Sequence, residues 1–229
     1  MEAVSLRRLV KGDAGALHDR PIEPVARIEV LEIERPAVVL GSTQSFDVVD
    51  AARAAESGFD VVRRRSGGGV VILQPGDHAW IDVTIPRGHA LWHDDVERAT
   101  WWLGDVWCNV LQDVAPSSPL GGGSPSGWAV HREKLVATAP ERAVCFASIG
   151  PGEVVRGNRK VVGISQRRTK DAARFQCTVF REVNSSLYER LLRIEVPASL
   201  GEAVGVGEKL NIVSRAAVER LTEAIGSLR

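Results

Sequence analysis

The 229 residues are enough to bury a sizeable core without a disulfide or metal staple. Lys+Arg and Asp+Glu both number 29, so no global charge draws the chain to nucleic acid or to an anionic membrane. Three cysteines, Cys108, Cys145 and Cys177, lack CxxC spacing, which argues against a disulfide framework or zinc site; no metal is assigned. No apolar run reaches the ~18 residues of a membrane span. The first residues lack the apolar stretch of a signal peptide, and a cytoplasmic location is expected.

In chain order, residues 1–24 are polar, with Gly and Pro, and read as a loosely ordered lead-in with at most a short helix. Ile28 to Leu31 and Ala37 to Leu40 are apolar runs around Glu34-Arg35-Pro36, suggesting a hairpin or a pair of sheet strands. DVVDAARAAESG has helical spacing and ends at Gly58, a plausible C′ glycine. Strands are then predicted at Phe59 to Arg63, Val70 to Leu73 and 78–85. Asp94-Asp95 opens a long helix carrying Trp101, Trp102 and Trp107, read as core and sheet cover. The stretch 115–127 is a loop by composition. Further strands are predicted at Ala143 to Ala147, around Val154-Val155, at Lys160 to Ser165 and at 174–180. The chain closes with helices, one beginning near Ser214 as N-cap. The pattern describes one domain over 1–229, an α/β (α+β) fold with a mixed central sheet covered by helices.

Two segments carry chemical meaning. In Arg63-Arg64-Arg65-Ser66-Gly67-Gly68-Gly69-Val70-Val71, consecutive glycines let the backbone approach a ligand closely. Free N–H groups there can cradle phosphate or carboxylate oxygens, and arginines can add charge-assisted contacts. A plain hairpin turn with solvated arginines has the same composition. In Asn158-Arg159-Lys160-Val161-Val162-Gly163-Ile164-Ser165-Gln166, a lysine enters a strand beside a glycine and can hold a carboxylate or acyl-phosphate oxygen. A surface lysine flanking a strand reads the same way.

Together the two segments resemble the lipoate–protein ligase and octanoyltransferase branch of the biotin/lipoate protein ligase superfamily. That branch carries RR-x-S/T-GG-x-AV-x-H and, much further along the chain, GRK-x-x-G-S-A/S-Q. The resemblance implies a class II biotinyl/lipoyl ligase-like catalytic domain that attaches lipoate or octanoate to a lysine. The acceptors would be lipoyl domains of 2-oxoacid dehydrogenase complexes or the glycine cleavage H protein. It gives Arg64, Ser66, Gly67, Gly68, Gly69, Val70, Val71, Ile72, Gly163 and Ser165 as substrate or nucleotide contacts, and Lys160 as the contact to the activated carboxyl. A ligase of this kind uses ATP and Mg and passes through an acyl-adenylate, the route favoured for the arginine-rich loop. Family ligases often carry a further C-terminal domain or use a separate accessory subunit; none of that size is expected here. The family histidine falls on Leu73, so its role is missing or moved to His78.

Cys145 lies in an Ala-Val-Cys-Phe-Ala run before Lys160. One octanoyltransferase branch has a Cys-Phe pair at this distance before its GRK segment, the cysteine carrying the acyl chain as a thioester taken from acyl carrier protein. By that resemblance Cys145 is a candidate nucleophile, its thiol activated by nearby Lys160. A cysteine in an apolar run also suits simple packing, as do Cys108 and Cys177. Trp80 is a candidate for lining an acyl tunnel. A non-catalytic acyl-binding or partner subunit of the same fold is the third reading, supported by Leu73. The run Arg167-Arg168-Thr169-Lys170 reads as a solvated loop.

Overall fold

The computed structural model describes residues 7–115 and 127–227. Strands β1 (Arg7–Gly12), β2 (Arg27–Ile33), β3 (Ala37–Leu40), β4 (Asp60–Arg63), β5 (Val71–Leu73), β6 (His78–Pro86), β7 (Trp128–Val130), β8 (Val154–Arg156), β9 (Arg159–Arg168) and β10 (Ala172–Phe180) form two sheets. The larger has the order β1-β2-β6-β10-β9-β8-β7, antiparallel except for the β1–β2 pair. The smaller, β4-β3-β5, is also mixed, with β3 parallel to β4 and antiparallel to β5.

Helices α1 (Ala14–Asp19), α2 (Ala51–Glu56), α3 (Trp101–Val114), α4 (Ala139–Ala143), α5 (Ser185–Leu191) and α6 (Leu210–Gly226) complete the fold. One face of the large sheet buries Ile81, Val83, Phe175 and Val179 against Leu103, Trp107 and Leu111 of α3 and Val213, Ala217 and Leu221 of α6. The other face, with Leu31, Trp80 and Phe180, packs against Val38, Leu40, Val71 and Leu73 of the small sheet. Covered on both faces, central β6 is buried along nearly its whole length. Its sequence alternates apolar and polar residues with Trp80 as the one break, and the polar Asp82 and Thr84 are buried as well.

Several elements depart from the reading above, each for a physical reason. Residues 7–19, expected to be a loose lead-in with at most a short helix, form strand β1 ahead of helix α1. Six main-chain pairs tie β1 to β2, and Ala14 and Leu17 bury into the core. β2 and β3 do not form a hairpin, because Pro36 redirects the chain and β3 joins the other sheet. Ala143 to Ala147 is not a strand. Glu141 accepts the Thr138 N–H at 2.7 Å and stops the chain extending, so α4 and then a 3-10 turn at Cys145–Ala147 form instead. Asp95, rather than starting α3 directly, accepts the amides of Glu97 and Arg98 and opens a 3-10 turn at Arg98–Thr100. α6 begins at Leu210, so Ser214 lies inside it. Arg167 and Arg168 belong to β9. β7 was not anticipated, and most of the 115–127 stretch lies outside the described residues.

Candidate active site

The glycine segment leaves β4 and folds back on its own arginine. The buried Arg64 guanidinium donates to Gly67 O and Gly69 O, both at 2.9 Å. Gly68 adopts φ +97°, where a side chain is strained, and Gly41 packs so closely beneath it that a Cβ would lie 1.8 Å from Gly68 O. The neighbouring arginines are also engaged. Arg65 pairs with Asp19 at 2.8 Å, and Arg63 stacks 4.4 Å over the Phe46 ring. None of the three extends freely toward a ligand. The exposed amides of Gly67 and Gly68 donate to no acceptor among the described residues and form the open part of the loop.

A short parallel bridge clips this loop to the Cys145 segment. Val70 N donates to Ala143 O at 2.8 Å, and Cys145 N donates to Val70 O at 2.9 Å. A Cβ on Gly69 would sit 2.6 Å from Ala143 C, so glycine is what permits the approach. Ile72 N donates to the buried Tyr188 hydroxyl at 3.1 Å. The Val70 and Ile72 amides are therefore committed within the protein.

Lys160 enters β9 from the far side. Its side chain is 2% exposed, and Nζ donates to Cys145 O at 2.6 Å and lies 2.7 Å from Glu153 Oε2. Glu153 in turn accepts Gly150 N at 2.6 Å and Ile164 N at 3.1 Å. A buried ion pair is tolerable when each partner is hydrogen-bonded in this way. Lys160 fixes the main chain of Cys145, an arrangement for which the sequence offered no signal.

Between the sheets lies a narrow cleft with a cavity volume of about 30 Å³. Val71, Leu73, Trp80, Phe146 and Ile164 give it apolar walls. Arg64, Cys145, Ser165, Gln176 and His18 supply its polar groups, and Gly163 its floor. The cleft thus gathers Arg64, Val71, Cys145, Gly163 and Ser165, with Ser66 bonded to Ser165 at 3.2 Å just behind. Trp80 lines it. Leu73 lines it too. His78 instead bonds Asp77 Oδ1 at 2.6 Å and Gln74 O, and is not among the cleft residues.

His18 was missed. It is 6% exposed, stacks on Trp80 with ring centroids 4.4 Å apart, and contacts Gln176 Nε2 through Nδ1 at 3.2 Å. Burial first, then the charges of Arg64 and Arg174, pushes its pKa down to about 3, which keeps the ring neutral. Below the indole, Trp80 Nε1 donates to Asp82 Oδ1 at 2.7 Å. Burial raises the Asp82 pKa to about 7, partly offset by Arg174.

The fold is similar to that of solved lipoate-protein ligases. Lipoate-protein ligase A bound with ATP superposes with a TM-score of 0.67 at 14% identity, over 96% of this chain and 85% of that one. A bi-partite lipoate protein ligase from Thermoplasma acidophilum gives 0.64 at 13%, over 97% and 84%. P. falciparum LipL1 in complex with lipoate gives 0.62 at 11%, over 97% and 62%. No curated protein sequence matches significantly. The model of the lipoyl protein ligase A/B catalytic domain matches residues 16–210, and the chain belongs to that family.

Proposed function

We propose that this protein attaches lipoate to a lysine of a lipoyl domain, using ATP. The observation that carries this reading is the cleft, whose apolar walls meet the glycine loop, Cys145 and the Lys160 strand. A carboxylate oxygen of the acid attacks the α-phosphorus of ATP and pyrophosphate leaves. The acceptor lysine amine then attacks the acyl carbon, AMP leaves, and the amine loses a proton. The open Gly67 and Gly68 amides suit phosphate oxygens, and the fixed charge of Arg64 favours the anion. Magnesium would arrive with the nucleotide and would supply charge neutralisation at the phosphates. Among the described residues no group of three His, Cys, Asp or Glu could hold a metal. Similar solved structures hold ATP, or lipoate, or are described together with an E2 lipoyl domain, which supports the same substrates here. The T. acidophilum ligase is bi-partite, which supports a separate accessory subunit as a partner.

A second reading has its own observation, the half-buried Cys145 in the cleft wall, its backbone held at both ends. There the thiolate takes octanoyl from a carrier thioester, releasing the carrier thiol, and passes it to the acceptor lysine. Intact mass of an apo lipoyl domain, incubated with this protein, lipoate and Mg-ATP, separates the two. A mass gain that requires ATP and survives in Cys145→Ser is the expected result. A gain only from octanoyl-carrier protein, abolished by Cys145→Ser, overturns the ATP route. No gain from either donor overturns acyl attachment by this chain acting alone.

A further inference from the structure

We propose that the cleft selects an acyl chain bearing a hydrogen-bond acceptor near its far end over a plain saturated chain, with His18 Nε2–H as the selecting donor. The inference rests on the cleft being the acyl site.

The proton positions follow from a chain of partners. Each serine hydroxyl has one proton to give. Ser66 donates to Gln176 Oε1 at 3.2 Å, so Ser165, 3.2 Å from Ser66 Oγ, donates to Ser66. Gln176 presents its amide nitrogen to His18 Nδ1. An amide nitrogen only donates, so Nδ1 accepts and the single imidazole proton sits on Nε2. That ring is neutral, 94% buried by its 6% exposure, and Nε2 has no hydrogen-bond partner among the described residues. The row Ser165–Ser66–Gln176–His18 thus leaves one buried, unsatisfied N–H donor on a residue that lines the cleft.

Sheet geometry sets this donor two strands away from the Phe146–Gly163 contact beside Cys145. Phe146, next to Cys145, packs on Gly163 of β9, where an added Cβ would meet its ring at 3.3 Å. His18 lies over Trp80 of β6. Gly163, Thr178 and Trp80 share one cross-strand row, two strand spacings or roughly 10 Å from end to end. A ligand whose carboxyl lies by Cys145 and Lys160 therefore runs its tail across β10 toward His18. A saturated tail leaves the N–H buried and unpaired, which is penalised. A tail bearing oxygen or sulfur satisfies it. The dithiolane sulfurs of lipoate are weak acceptors of this kind, and octanoate has none.

The test is calorimetric binding of two free acids of equal length, octanoate and 7-oxooctanoate, to the full chain. The native protein is expected to bind the oxo acid about tenfold tighter. His18→Phe, which keeps the ring but not the donor, is expected to bind both equally, and His18→Gln, which keeps an N–H, to retain a preference. Equal binding by the native protein overturns the proposal while leaving the acyl cleft intact, as does a preference that survives in folded His18→Phe. Binding of neither acid removes the acyl-cleft reading, and this inference with it.

Discussion

The ammonium of Lys160 lies 2.6 Å from the carbonyl oxygen of Cys145 and salt-bridges Glu153, so one buried charge ties the nucleophile candidate to the sheet. Removing it leaves Glu153 charged and unpaired. Lys160→Met is expected to destabilise the fold by about 3–5 kcal/mol, read by denaturant unfolding. Adding Glu153→Gln is expected to restore most of that stability but none of the acyl transfer, read by intact mass. Restored activity in the double variant would confine Lys160 to a structural role.

The glycine loop offers a contrast within a few residues. At Gly41 a Cβ meets Gly68 O at 1.8 Å, whereas at Gly67 it meets nothing within 4 Å and φ is not positive. Gly41→Ala is expected to lose about 1–3 kcal/mol. Gly67→Ala is expected to stay within about 0.5 kcal/mol of the native protein. A fall in acyl transfer by Gly67→Ala at unchanged stability is the expected sign that a ligand lies against that amide.

Two buried groups on one indole oppose each other in pH. Asp82 has its pKa raised from 3.8 to about 7, so its contribution is fully present below pH 4 and is lost as pH rises toward 7. His18 has its pKa lowered from 6.5 to about 3, so its contribution is present above pH 6.5 and is lost as pH falls toward 3. Between pH 4 and 6.5 the slopes largely cancel. Asp82→Asn is expected to leave stability rising with pH across that window, and His18→Phe to leave it falling. Chemical denaturation at several pH values reads both; parallel profiles for the two variants would refute the assignment.

Breaking the serine–glutamine row is expected to act through His18. Gln176→Leu removes the amide donor that fixes the tautomer and leaves Ser66 without its acceptor. A loss of about 1–3 kcal/mol is expected on unfolding. The His18 Nε2 proton, visible by 15N-resolved NMR of the native imidazole, is expected to lose its single-tautomer signature.

The glycine segment and the Lys160 strand were legible because glycine runs and strand-entry lysines leave local marks. The family match then confirmed the fold they implied. His18 was not legible. It sits on a helix of six residues with two apolar anchors, Ala14 and Leu17, whose burial depends on strands far along the chain. Cys145 was placed in a strand because a short apolar run has no period to distinguish strand from turn. A signal did exist in Thr138-x-x-Glu141, the capping-box spacing that sets α4 just before it. The arginines of the loop misled for another reason. Sequence shows which charges are near one another but not which neighbour each will satisfy, and Asp19 and Phe46 took two of them.

The bridge between Val70 and Val144 has an effect beyond holding two segments together. Because its two hydrogen bonds set where Cys145 stands against the glycine loop, the distance along the chain between them carries no geometric information for the site. Loops in the intervening stretch can lengthen or shorten without shifting Cys145 against the glycine loop.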